Sequence, residues 1–219
     1  MKKIFLITVC CAILLAISPV AYSFDGQYVS GSIGFSKITD MNLTDRLLFA
    51  VQNKDLEPEG DLAFGVAMGF RPYDMLRVEG EISYKENDID NRGAWSANGD
   101  VSCLALMLNG YFEPGGIEET GKFQPYISFG IGWANVDSNF TLRTEERYWD
   151  EGYAPRVTYN NSDGRFAFQV GAGVGYAINE KVTFDCKYRF QWVADSLAYN
   201  STKVEYNSHN FFIGIRYAF

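Results

Sequence analysis

Histidine is the usual general base of enzymes, and this chain of 219 residues has one, His209, beside Ser208. A serine and a histidine at an apolar interface would suit hydrolysis of a lipid ester. Residues 208 to 219 read as a strand, however, and neighbours on a strand point to opposite faces. This argues against a direct Ser208–His209 contact, and a further serine, such as Ser196 or Ser201, could supply the nucleophile from a loop. The expectation is an interfacial histidine and no catalytic residue, with hydrolysis through His209 as the enzymatic alternative.

Carboxylates gather in two polar stretches, Asp40, Asp45, Asp55, Glu57, Glu59 and Asp61 in one and Asp137, Glu145, Glu146, Asp150, Glu151 and Asp163 in the other. Such clusters could hold a divalent cation or approach a basic surface. Neither has the spacing of an EF-hand, and acidic loops are as a rule simply solvated, so no metal site is expected. The second stretch also carries Tyr148, Trp149, Tyr153 and Tyr159, aromatics that could anchor a protein partner. The glycine string GAGVG at 171 to 175 repeats with period two and no helix follows it, unlike a dinucleotide loop. No cofactor is expected.

A third set recurs with period two: Arg71, Arg77, Glu79, Glu81, Lys85, Gln169, Asp185, Lys187, Arg189, Gln191 and Arg216. Each alternates with apolar residues, the pattern of a half-buried strand. Eight such segments follow one another, at about 27 to 36, 62 to 71, 76 to 85, 102 to 113, 124 to 135, 165 to 177, 182 to 192 and 208 to 219. Each is long enough for a tilted membrane-spanning strand, for which roughly 9 to 11 residues suffice. Long polar connections (37 to 61, 86 to 101, 136 to 164, 193 to 207) alternate with shorter ones bearing turn residues, Pro72-Tyr73-Asp74, Pro114-Gly115-Gly116 and Asn179-Glu180. The expected fold is all-β, an eight-stranded antiparallel up-and-down transmembrane barrel, with both mature termini on the periplasmic, short-turn side.

Parity sends rows such as Leu62, Phe64, Val66, Met68 and Phe70, or Ile127, Phe129, Ile131 and Trp133, to the outside, a surface that water would not tolerate and lipid requires. Aromatics close these rows. Phe35, Tyr84, Trp133, Phe166, Trp192 and Phe211 fall at the loop end and Phe70, Phe112, Tyr176 and Phe219 at the turn end, as two interfacial girdles would. The charged set faces inward. Six of its members are basic and three acidic (Glu79, Glu81, Asp185), so carboxylates must be shared. Eight strands leave an interior just wide enough for side chains to fill, which predicts a plugged barrel, with small-solute or ion channel activity, gated by rearranging salt bridges, as the alternative. Inward glycines at 130, 132, 171, 173, 175 and 214 make room for the long side chains.

The N-terminus begins with Lys2 and Lys3, an apolar run from Ile4 to Ile17, and small residues at Ala21 and Ser23. This is the order of a secretory signal peptide, cleaved after Ser23. It divides the chain into a signal at 1 to 23 and one barrel domain at 24 to 219. Loss of the two lysines moves the formal charge from −8 to −10, which argues against a nucleic-acid partner. Cys103 and Cys186 remain. They fall on opposite faces, inward and lipid-facing, so two free thiols are expected.

The strings QPYISFGIGWA, FAFQVGAGVGYAINEKVTFDCKYRF and HNFFIGIRYAF resemble the later strands of the small outer-membrane β-barrel domain family, the opacity-type or "porin family" proteins with an OmpA/OmpX-like barrel. The ending Ile215, Tyr217, Phe219 is similar to the C-terminal signal by which such proteins engage the barrel-assembly machinery. The resemblance implies a Gram-negative outer-membrane protein in contact with lipid and lipopolysaccharide. It also implies a surface antigen or adhesin meeting a host or surface protein through loops 37 to 61 and 136 to 164. Nothing follows Phe219, unlike two-domain OmpA-type relatives, so no wall anchor is expected. A closed barrel has no strand edge that demands a partner, and a monomer is expected.

Overall fold

The structure, a computed structural model, describes residues 26–39, 41–43, 54–56, 61–91, 95–114, 122–144, 156–194 and 206–219. The segment expected to be a signal peptide lies outside them. Eight long strands close into one antiparallel barrel: β1 (Tyr28–Thr39), β4 (Asp61–Tyr73), β5 (Leu76–Asn91), β6 (Trp95–Phe112), β7 (Phe123–Thr144), β8 (Arg156–Ala177), β9 (Val182–Val193) and β10 (Tyr206–Ala218). β1 pairs with β4 on one side and β10 on the other, so the sheet has no edge. Two short strands, β2 (Met41–Leu43) and β3 (Lys54–Leu56), pair beyond the end of β1.

Local chemistry sets the tight turns. Asn179 Oδ1 accepts from the backbone N–H groups of Lys181 (2.9 Å) and Val182 (2.8 Å), an Asx turn that reverses the chain between β8 and β9. Between β4 and β5 the register slips from Phe70↔Val78 to Tyr73↔Leu76. The bulge spans Pro72, which has no N–H to give the ladder.

Inside and outside alternate as the pleat requires. Leu62, Phe64, Met68 and Phe70 of β4 are exposed while Ala63, Gly65, Ala67 and Gly69 are buried, and the same rule runs through the other strands. Cys103 is fully buried and Cys186 exposed, and both are free thiols.

Two expected loops are largely strand. β5 and β6 remain paired to Asn91↔Ala97, and β7 and β8 to Arg143↔Arg156, so most of 86 to 101 and of 136 to 164 forms ladder. Alternation persists there with its phase reversed. Below Trp133 the apolar residues face out. Above it Asn135, Asp137 and Asn139 face out while Val136 and Val101 are buried. Periodicity tuned to an apolar exterior ends where the phase turns over.

Candidate functional site: the barrel interior

The short-turn half of the interior holds a charged network. Arg77, from β5, lies between the rings of Tyr28, Tyr111 and Tyr126, its Cζ 3.9 Å from the Tyr111 centroid. Its Nε donates to Glu113 Oε1 (2.9 Å) and its Nη1 to Tyr28 Oη (2.9 Å) and Glu79 Oε2 (3.3 Å). Glu79 accepts in turn from the hydroxyls of Tyr28 (2.9 Å) and Tyr111 (2.8 Å). Arg189 joins the next level, donating from Nη2 to Tyr111 Oη (2.9 Å) and from Nη1 to Glu81 Oε1 (2.5 Å). Lys187 Nζ stands 3.8 Å from Glu81 Oε2. Asn109 Nδ2 also donates to Glu81 (3.4 Å), and Gln169 Nε2 donates to Asn109 Oδ1 (2.6 Å).

At the turn rim, Glu113 gathers Arg71 (2.5 Å), Arg77 (2.9 Å) and Arg216 (3.5 Å). Arg216 also reaches Asp185 Oδ2 at 3.3 Å and Gln124 Oε1 at 3.3 Å. Glu79, Glu81 and Glu113 are each shared among several donors, the condition for holding charge away from water. Asp185 meets Arg216, and its Oδ1, like Arg77 Nη2, has no hydrogen-bond partner among the described residues. Glycines open the space that these side chains occupy. A Cβ on Gly173 would lie 2.6 Å from Tyr126, and one on Gly175 would lie 2.8 Å from an Arg216 nitrogen.

The structure therefore brings Arg71, Arg77, Glu79, Glu81, Asp185, Lys187, Arg189 and Arg216 into one charged layer. Lys85 sits apart, nearer the loop side, and donates to Gln191 Oε1. Sequence reasoning missed Glu113, the fourth carboxylate, at the last position of the expected segment 102 to 113, where the parity it shares with Tyr111 would have placed it inward. It also missed the interior tyrosines. Their outward-facing cousins share their type, and only strict parity along β1, β6 and β7 separates them.

Above the charged layer Ile38, Val101, Cys103, Ala105, Met107, Ala134, Val136, Ala167, Val193 and Tyr206 pack as one buried cluster, with the buried polar side chains of Lys85, Asn87 and Gln191 beside it. One void, bordered by Arg77, Glu79, Tyr111, Tyr126, Asp185 and Lys187, has a volume of ≈ 10 Å³, about a water's worth.

On the outer wall, Trp133 faces Phe166 across the β7–β8 ladder and lies over Gly164, where a Cβ would meet its Nε1 at 2.5 Å. Phe168 and Trp192 pack at 4.4 Å between centroids. At the other end Phe123 packs on Tyr176 (5.0 Å), and Phe70 and Phe112 are exposed. Tyr217 and Phe219 make an edge contact at 5.9 Å. His209 faces outward, with Nδ1 2.6 Å from the Tyr188 hydroxyl, whereas Ser208 is fully buried and its Oγ accepts from Asn210 Nδ2 (3.1 Å). The two point to opposite faces and do not form a catalytic pair. Ser196 and Ser201 lie outside the described residues, as do Asp40, Asp45, Glu57, Glu59, Glu145, Glu146, Asp150, Glu151, Tyr148, Trp149 and Tyr153. Among the described residues no group of three or more His, Cys, Asp or Glu could hold a metal ion.

An antiparallel eight-stranded barrel with an apolar wall around a polar interior defines a small outer-membrane β-barrel protein. Residues 7–219 match the family described as outer membrane protein beta-barrel domain, and the chain belongs to that family. Its place is the outer membrane of a Gram-negative cell. Outer membrane protein PagN of Salmonella typhimurium strain LT2 is 25% identical over 253 residues, an alignment covering 100% of both chains. Neisserial surface protein A shares the fold at a TM-score of 0.55 and 15% identity, over 89% of this chain and 98% of that one. Pseudomonas aeruginosa OprG does so at 0.51 and 16%, over 89% and 96%.

Proposed function

We propose that this protein is a closed, non-catalytic membrane scaffold that holds β-hairpins outside the cell for contact with a host or neighbouring surface, as an adhesin or surface antigen does. The observation that carries this reading is the length of β7 and β8, 22 residues each, paired far beyond the apolar band. From Trp133 to Thr144 the strand runs on for roughly 35 Å, or about 25 Å above the band at the usual tilt. Its outward residues there are polar: Asn135 Nδ2 donates to Ser162 Oγ (3.3 Å), and the Thr141 and Thr158 hydroxyls pair at 3.3 Å. A transmembrane role alone needs none of this ladder. The acidic balance of the chain suits a basic partner surface.

In this reading the long hairpins are extracellular and both mature termini periplasmic, and residues 1 to 23 are the cleaved signal. The aromatic rows at Trp133, Phe166 and Trp192 and at Phe70, Phe112 and Tyr176 mark the two interfaces. Tyr217 and Phe219 present the insertion signal to the assembly machinery. The charged layer and the apolar cluster above it keep the barrel shut, which supports a scaffold over a channel.

The test is to display the protein on a non-adherent Gram-negative host and shorten the β7–β8 hairpin by replacing residues 138 to 161 with a tight turn. Heat-modifiable migration should show an intact barrel while attachment to epithelial monolayers falls to background. Attachment that persists with that hairpin and the β5–β6 hairpin both shortened would overturn the proposal.

A further inference from the structure

Phe168, Val170, Phe190 and Trp192, on β8 and β9, line an open apolar groove of ≈ 340 Å³ with Gln169 at its base. Phe190 also packs against His209 of β10, 5.1 Å between ring centroids. His209 is held on its other side by Tyr188, through the 2.6 Å contact at Nδ1 and a stacked ring at 6.0 Å. When the phenol donates to Nδ1, the ring proton sits on Nε2, which becomes a fixed donor. Cross-strand from His209, in register on β1, stands the exposed Lys37. An ammonium and an imidazole N–H thus lie side by side at the top of an apolar groove, near the level at which the wall changes from apolar to polar. Elsewhere at the same rim the outward face carries carboxylates, Glu86 on β5 and Asp137 on β7.

We infer that this wall holds one phosphate-bearing lipid of the loop-side leaflet, with an acyl chain in the Phe168–Phe190–Trp192 groove and its phosphate on Lys37 and His209. The groove gives shape but no preference among lipids. The two donors supply it, because a charge-assisted bond to phosphate gains over a zwitterionic headgroup whose own ammonium competes for that phosphate. Buried Phe190 surface links the two, fixing the imidazole relative to the groove.

Trp192 is the reporter. With W95F, W133F and W149F in place, it is the remaining indole of the chain's 4 tryptophans. The full mature chain is inserted into phosphatidylcholine vesicles and into vesicles with a minor fraction of phosphatidic acid, and Trp192 quenching by dibrominated chains of either lipid is measured. We expect brominated phosphatidic acid to associate about five-fold more strongly than brominated phosphatidylcholine, the scale of a partly exposed ion pair with a charged hydrogen bond. K37Q/H209Q should bring that ratio to about one while quenching by brominated phosphatidylcholine is unchanged. Either single variant that retains heat-modifiable migration should lower it part of the way. A native ratio near one, or a preference that survives in K37Q/H209Q, would refute the inference. Loss of the preference on adding inorganic phosphate would likewise overturn it in favour of a free-anion site.

Discussion

Replacing Glu113 by glutamine tests whether the charged layer holds the barrel together. The change keeps shape and removes one negative charge from a carboxylate that meets Arg71 at 2.5 Å, Arg77 at 2.9 Å and Arg216 at 3.5 Å. Removing one partner of a buried ion pair costs about 3–5 kcal/mol, because the charge left behind stays desolvated. Two features set the value at the lower end. Arg77 keeps Glu79 (3.3 Å) and the Tyr28 hydroxyl (2.9 Å), and Arg216 keeps Asp185 at 3.3 Å. The Arg71 side chain is 13% exposed and can turn to water. The expected loss is therefore about 3 kcal/mol. In urea unfolding of the vesicle-inserted barrel, followed by tryptophan fluorescence, a slope of about 2 kcal/mol/M would move the midpoint down by about 1.5 M with the slope unchanged. A double-mutant cycle locates the effect: Glu113 with Arg77→Gln should couple by more than about 1 kcal/mol, and Glu113 with Arg71→Gln by less. A loss below about 0.5 kcal/mol in E113Q, or stronger coupling to Arg71 than to Arg77, would show that the interior is hydrated enough to screen these charges.

Further outcomes follow from the packing. G173A places a Cβ 2.6 Å from Tyr126 and 2.7 Å from the Cys186 carbonyl oxygen and should destabilise by about 1–3 kcal/mol in the same unfolding assay. G80A meets nothing within 4 Å on the lipid face and should be neutral or stabilise by less than about 1 kcal/mol. In planar bilayers the monomer should be electrically silent, whereas large, steady conductance would show that the charged and apolar layers part. Maleimide should label neither the lipid-facing Cys186 nor the fully buried Cys103 rapidly in the detergent-folded mature protein and should label both after unfolding, two labels in all by mass without reductant. One label, or none, after denaturation would indicate a disulfide or prior oxidation.

The strand count, closure and face assignments were legible because a lipid-exposed wall demands strict alternation, and Leu62 to Phe70 or Ile127 to Trp133 supply it without a break. The turn chemistry was legible at Asn179, whose side chain builds its turn from local bonds alone. The hairpin extensions were not, since their outward residues are polar and the apolar phase that identifies a membrane strand reverses at Asn135. Glu113 was missed although its parity matches Tyr111, because it closes the segment next to Pro114 and was read with the turn; its partners on β4, β5 and β10 come together through the fold. The parity of Arg71 could be read from β4, but its partner could not.

The phase reversal has a physical origin that joins the two halves of the barrel. Where lipid surrounds the wall, the apolar residues face out and the interior must hold Arg77, Glu79, Glu81 and Arg189, paired because water is excluded. Above the lipid the same cylinder stands in water, so the ordinary rule returns: Asn139, Asn160 and Ser162 face solvent and Val101, Ala105, Ala134 and Val136 form a core. The crossover falls at one level in the ladder, Leu106↔Trp133↔Phe166 outside and Met107↔Gly132↔Ala167 inside. In the proposed reading that level marks the membrane surface. The proposed closure rests on side chains filling both levels, a charged layer below and above it an apolar cluster that also holds Lys85, Asn87 and Gln191.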